Sequence, residues 1–329
     1  MAAPSSVGSP AGEPTAALEG LRIERERLVL DLTPIPEGRY AAVEAEYRIV
    51  NAGPARTLPL EFVALGRALE GAQVWLDDQP VSAERVDSLA VPAAWAVVKQ
   101  TPALEGAPLP YAVSDGFHAP SGIRFTVTVP TGQHTIRVRY DVEVGFTSSG
   151  DHPNLVHQFA YSLAPARTWA GFGQLDLEVR LPAGWDAATT LPLRREGDTL
   201  TGRFRGVPGD VLAVSARAPI SPLRRPLQVL GVLAWALIVA FFGIVSGRLA
   251  ARSGRRARAA LPGAILGGLI AAVVFVIVQL LAVDTGDSGP TGYGLALSLM
   301  LIGTPVAFVV GAVLAQGAAV WSHRRRRPA

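Results

Sequence analysis

GRLAARSGRRARA (residues 247–259) is a short basic segment held between two long apolar runs. LQVLGVLAWALIVAFFGIVS (227–246) precedes it and GAILGGLIAAVVFVIVQLLAV (263–283) follows it, and neither contains a formal charge. Each has the length a helix needs to cross roughly 30 Å of hydrocarbon at about 1.5 Å per residue. A third apolar run covers residues 294–320. The pattern predicts three transmembrane helices, with a basic loop at 247–262, a second loop at 284–293 and a tail at 321–329.

Charge assigns the sides of the membrane. Residues 1–220 carry 25 Asp plus Glu against 19 Lys plus Arg, whereas residues 221–329 carry 11 Arg against 2 Asp. The sequence pI near 9.6 therefore reflects basic residues beside apolar spans, not a basic folded face, and argues against a nucleic-acid partner. Short Lys/Arg-rich segments are retained in the cytoplasm. Arg248, Arg252, Arg255, Arg256 and Arg258 after the first span, and Arg324, Arg325, Arg326 and Arg327 after the third, are predicted to lie inside, where they also face anionic lipid headgroups. The 284–293 loop, with Asp284 and Asp287, is predicted outside, and so are residues 1–220. Arg224 and Arg225 oppose this bias but are outnumbered. The segment 1–20 lacks the apolar core of a signal peptide, so export of a domain this large leads us to expect a signal sequence upstream of Met1. The expected location is a bacterial inner or plasma membrane.

Residues 1–20 are rich in Pro, Ala, Ser and Gly and are expected to be a flexible lead-in. Residues 21–219 carry strand signals. In AAVEAEYRIVN, Val43, Ala45, Tyr47 and Ile49 alternate with Glu44, Glu46 and Arg48, the period-two pattern of a half-buried strand. Ile123–Val144 reads as a hairpin through Pro130-Thr131-Gly132. Further strands are predicted at 58–65, 72–76, 155–163, 175–181, 200–204 and 211–217. This spacing predicts an all-β extracytoplasmic region of one or two antiparallel β-sandwiches, with a division near 148–150. Residues 88–122 have no sustained period and read as an irregular loop. The segment 220–226 reads as a stiff Pro-rich linker that holds the domain near the bilayer.

Candidate chemistry is sparse. Asp115, His118, His152 and His157 are the only weak metal or acid–base candidates, and they lack zinc-site spacing. There is no Cys, no G-x-S-x-G elbow and no phosphate loop, so the reading is of a protein that is not an enzyme and has no cofactor. Trp169, Phe172 and Trp185 form a candidate contact surface, as aromatic residues beside Gly-rich turns can. Within the apolar spans, Gly243 and Gly247, Gly263 and Gly267, and the four-step series Gly303, Ala307, Gly311, Ala315 are predicted helix-packing positions. Pro305 is expected to kink the third helix. The sequence thus predicts a membrane-anchored binding or scaffolding protein, an accessory subunit of an envelope complex whose partners are other membrane subunits or further copies of itself. A transporter or channel subunit, and an ectodomain glycan binder or enzyme, are the alternatives.

Overall fold

The computed structural model describes residues 2–4, 20–64, 71–86, 98–111, 121–147, 154–220, 222, 224–252, 260–282 and 303–324. It divides into two compact units, Met1–Pro219 and Ile220–Ala329. The first is β-rich and the second consists of three long apolar helices.

The chain first lays down β1 (Ala2–Pro4), β2 (Leu21–Asp31), β3 (Ala41–Asn51), β4 (Arg56–Ala64), β5 (Gln73–Leu76), β6 (Gln79–Val81) and β7 (Ala83–Val86). Two short strands follow, β8 (Gln100–Thr101) and β9 (Leu109–Pro110). Next come β10 (Ser121–Val129), β11 (Gly132–Val142), β12 (Gly145–Thr147) and β13 (Val156–Ser162). The last strands are β14 (Phe172–Arg180), β15 (Asp186–Thr189), β16 (Arg194–Glu196), β17 (Thr199–Arg205) and β18 (Val211–Arg217).

One sheet dominates, with eight strands in the order β16-β17-β14-β2-β3-β11-β5-β6. Two four-stranded sheets, β1-β4-β10-β7 and β12-β13-β18-β15, share one continuous hydrophobic core with it. Phe62 of β4 meets Tyr140 of β11 edge to face at 5.2 Å, and lies 6.0 Å from Tyr161 of β13. The expected division near 148–150 lies outside the described residues, as do residues 5–19 of the expected lead-in.

The alternation in β3 is realised directly: Val43, Ala45, Tyr47 and Ile49 are buried while Arg48 is exposed. The Ile123–Val144 hairpin is corrected. β10 pairs with β4 and β7, and β11 pairs with β3 and β5, so the two strands belong to different sheets. Alternation decides which side of a strand faces the core, not which strand lies beside it. The chain instead turns a corner at Pro130-Thr131 into Gly132, whose φ of 121° only glycine adopts freely. A second corner, 52–55, carries β3 into β4. Asn51, 1% exposed, ties the two together: its Nδ2 donates to the carbonyls of Pro54, Val129 and Pro130 at 2.9–3.0 Å, and its Oδ1 accepts from Gly53 N–H at 2.9 Å.

Part of the irregular 88–122 stretch has a place. Residues 98–111 carry the β8–β9 pair and cover the outer face of β13 and β18, where Val98, Tyr111, Ala160 and Ala213 form a small second core. Gln158 donates to Thr101 Oγ1 (2.6 Å) and the Pro110 carbonyl (2.8 Å), and Ser215 donates to Thr101 Oγ1 (2.9 Å). Gln158, Ser215 and Thr101 thereby satisfy one another beneath this hairpin, and β13 is buried along its whole length.

The second unit contains α1 (Arg224–Arg252), α2 (Leu261–Ala282) and α3 (Thr304–Arg324), each with a segment long and apolar enough to cross a membrane. α1 extends beyond 227–246 at both ends. Arg224, Arg225 and Pro226 of the expected linker are its first turn, where a proline removes no helical hydrogen bond. Arg248 and Arg252 of the expected loop are its last turns, because Arg, Ala and Leu favour helix. α3 as described runs from Thr304 directly after a π-helical Gly303, with Pro305 as its second residue; residues 294–302 of the expected span, and with them the turn that precedes the proline, lie outside the described residues.

The small residues bring the three helices together within the chain. A Cβ on Gly243 would lie 2.6 Å from the Ala315 carbonyl of α3, one on Gly268 2.8 Å from the Ala312 amide, and one on Gly311 3.3 Å from Gly268 Cα. Cβ atoms on Gly263 and Gly267 would collide with Ser246 and Phe242 of α1. Ala315 is fully buried, Gly247 is buried, and Gly303 and Ala307 are half-buried. Large side chains such as Leu237, Phe241, Leu269, Ile277, Val309 and Val313 point outward, as lipid-facing positions require. Gly268→Leu is expected to drive α2 and α3 apart at a cost of about 3 kcal/mol. Detergent-solubilised full-length protein should then lose helix signal on heating at a clearly lower temperature than the wild type; an unchanged midpoint would show that the packing is not tight there.

Candidate functional site

The outward face of the eight-stranded sheet is assembled from alternating positions of β2, β3, β11, β14 and β17. The registers place Arg203 beside Asp176, Asp176 beside Arg27, Arg27 beside Glu46, Glu46 beside Arg137 and Arg137 beside Trp75. This row of alternating charge crosses five strands, with neighbours at the roughly 5 Å spacing at which cross-strand pairs interact, and meets Trp75 on a sixth, β5. It ends with the Arg137 guanidinium 4.6 Å above the Trp75 ring, a cation–π contact.

Two carboxylates organise the part over β2, β14 and β17. Asp176 accepts from Arg25 Nε, from Arg203 Nε at 2.9 Å and from Gln174 at 2.9 Å. Glu178 accepts from Arg27 Nη2 at 3.0 Å and Arg180 Nε at 2.7 Å. Partial burial acts to raise both carboxyls, but the hydrogen bonds and guanidinium charges outweigh it and hold them below the usual carboxylate range. An open groove of about 700 Å³ lies over these residues, walled by Pro192, Arg194 and Glu196. A smaller hollow of about 340 Å³ lies at the other end, by Trp75, Arg137 and the Asp77-Asp78 turn. There both aspartates have positive φ, at 49° and 63°. Asp77 bonds His134 Nδ1 at 2.6 Å and the Thr135 amide at 2.8 Å.

Beneath this face is one buried acid. Glu26 of β2 is 0% exposed. Its Oε1 accepts from the Tyr161 hydroxyl at 3.4 Å, which lies 2.9 Å from the Tyr47 hydroxyl, and its Oε2 has no hydrogen-bond partner among the described residues. Burial pushes its carboxyl up to about 7, more than the tyrosine hydrogen bonds pull it down. Glu26 faces inward because β2 is bulged between Ile23 and Arg25, which reverses the facing of every later residue. The bulge lies against Gly173 of β14, where any Cβ would strike the Glu24 carbonyl.

The sequence-predicted candidates are scattered. His157 is a buried side chain of β13, its ring 5.2 Å from that of Trp185. Asp115, His118 and His152 lie outside the described residues. No group of three His, Cys, Asp or Glu side chains suited to a metal occurs among the described residues. The aromatic contact surface is corrected: Trp169 and Trp185 are 4% and 3% exposed and belong to the hydrophobic core, and Phe172 is half-buried against it.

Arg248, Arg252 and Arg324 are exposed. The Gly243–Ala315 and Val239–Gly311 approaches make α1 and α3 run in the same direction, so these three arginines share one end of the helical unit. Arg255, Arg256, Arg258, Arg325, Arg326 and Arg327 lie outside the described residues.

Sequence reading did not identify the charged groove. Its signal was present as the consecutive charges of IERER and as charges alternating with apolar residues in QLDLEVR and TGRFR, but only the strand order shows that these segments are neighbours.

No family model matches the sequence, and no curated protein does. Solved structures show distant similarity. A Legionella pneumophila protein described as nutrient binding is 12% identical with a TM-score of 0.45, covering 73% of this chain and 77% of its own. Yeast LTA4 hydrolase in complex with bestatin is 9% identical with a TM-score of 0.37, covering 67% of this chain and 33% of the hydrolase. The M1 zinc metallopeptidase of Deinococcus radiodurans is 12% identical with a TM-score of 0.29, covering 59% of this chain and 42% of the peptidase. The chain thus spans less than half of either enzyme, and similarity at this level assigns it no activity.

Proposed function

We propose that this chain is a membrane-anchored extracytoplasmic binding and scaffolding protein, an accessory or structural subunit of a bacterial envelope complex. In this reading the β-sandwich unit is outside and the C-terminus is cytoplasmic. The observation that carries it is the joining of a β-rich unit with a broad, open, charge-patterned sheet face to three apolar helices. Because the small residues of those helices are spent on packing within the chain, partner subunits or further copies meet its large outward side chains. The shared end of Arg248, Arg252 and Arg324 supports a single cytoplasmic side that contacts anionic headgroups.

Affinity purification of the full chain in mild detergent is expected to recover stoichiometric partner subunits or a defined homo-oligomer; an isolated monomer would defeat the scaffolding reading. Sidedness is tested separately, since the chain has no Cys and accepts single reporters. Arg194→Cys, at a side chain 82% exposed, is expected to react with a membrane-impermeant maleimide in intact cells, and Arg252→Cys only after lysis. The reverse pattern would invert the topology.

A further inference from the structure

We propose that the groove over β2, β14 and β17 binds a phosphodiester-linked polyol or sugar polymer, with two guanidinium stations that take successive phosphates. This goes beyond the scaffolding reading and stands without it.

The stations are Asp176 with Arg25 and Arg203, all of which line the groove, and Glu178 with Arg27 from the lining and Arg180 beside it. In each, one carboxylate is shared by two guanidinium groups, leaving one net positive charge. Arg25 and Arg203 both engage Asp176 through Nε, and their terminal Nη groups make no hydrogen bond among the described residues. A guanidinium held in this way keeps donor pairs free for the bidentate contact that phosphate oxygens accept. The carboxylates also fix the long side chains beforehand, reducing the ordering cost of binding.

Spacing selects a polymer over a single anion. Asp176 and Glu178 point to the same face two residues apart, so the stations are separated by about 7 Å along the strand. Successive phosphates of a polyol-phosphate chain are a comparable distance apart. The groove, of about 700 Å³, is open to solvent and is lined by Asp176 and Glu178 together. A fully basic surface would hold any polyanion; here the interposed carboxylates repel a chain whose charges are out of step with the stations.

The test is a titration of full-length protein in neutral detergent with a synthetic glycerol-phosphate oligomer, with inorganic phosphate and polygalacturonate as comparators. The oligomer is expected to bind with an affinity that falls steeply with salt, and the two comparators at least tenfold more weakly. Arg25→Gln and Arg203→Gln should each weaken oligomer binding at least tenfold. Arg203 is 74% exposed, so its replacement does not threaten the fold. Arg124→Gln removes the same charge from β10, where Arg124 pairs with Glu61, and should change the Kd less than twofold. Absence of oligomer binding, equal binding of polygalacturonate or inorganic phosphate, or an equal loss in Arg124→Gln would each overturn the proposal.

Discussion

Replacing Glu26 with Gln is expected to stabilise the β-rich unit by about 3 kcal/mol above pH 7 and to leave it nearly unchanged near pH 4.5. The carboxyl is raised from 4.5 to about 7 in the folded protein, so the folded state holds a proton there that the unfolded chain has released. Its favourable contribution is complete below about pH 4.5, declines as pH rises, and is gone above about 7. A shift of this size corresponds to about 3 kcal/mol at about 1.4 kcal/mol per unit. Gln keeps the shape and the acceptor for the Tyr161 hydroxyl while removing the buried charge. Denaturant midpoints of the full chain in detergent, read by aromatic circular dichroism from pH 4.5 to 8, should slope downward for wild type and be flatter for Glu26→Gln. Parallel curves would show that Glu26 is hydrated or paired in solution.

Asn51→Ala is expected to cost about 3 kcal/mol, because it strips partners from the carbonyls of Pro54, Val129 and Pro130 and from the Gly53 amide at once. Asn51→Asp keeps the acceptor for Gly53 but supplies no donor to the three carbonyls, and places a charge among them. It should destabilise at least as much as Ala. The same denaturant measurement at pH 7 decides the matter: a midpoint for Asn51→Ala indistinguishable from that of the wild type would mean that the two corners hold without their tie.

Alternation and apolar run length carried the coarse architecture, a β-rich region followed by three apolar helices, because both depend on residues close in sequence. Val43, Ala45, Tyr47 and Ile49 show their burial in their spacing alone. What was not legible depends on distant neighbours. Ile123–Val129 and Ile136–Val142 have the right inward residues, yet the sheets they join are decided by a corner whose buried tie, Asn51, comes from a strand laid down far earlier in the chain. In β2 the inward set runs Leu21, Ile23 and then Glu26, Leu28, Leu30, and the bulge that shifts it is matched by Gly173 on β14, a strand remote from it in sequence. The aromatic residues near 169–185 carried no local sign of exposure or burial, and the structure places both tryptophans in the core. The groove was illegible for the same reason, since Asp176 and Arg25 become partners only when β14 docks beside β2.

That docking governs the order in which the sheet can form. β14 lies parallel to β2, and the pairs that join them, such as Arg27 with Glu178, are 151 residues apart in sequence. Contacts at such separation form late, after the cost of closing the intervening loop has been met. The β2, β3 and β11 strands are complete by residue 142 and can assemble while the rest of the chain is still being synthesised. During that interval the other edge of β2 is an open template for any passing strand. The chain is therefore most prone to mispair between the emergence of Val142 and that of Arg180, which makes this the interval in which a folding helper has the most to protect.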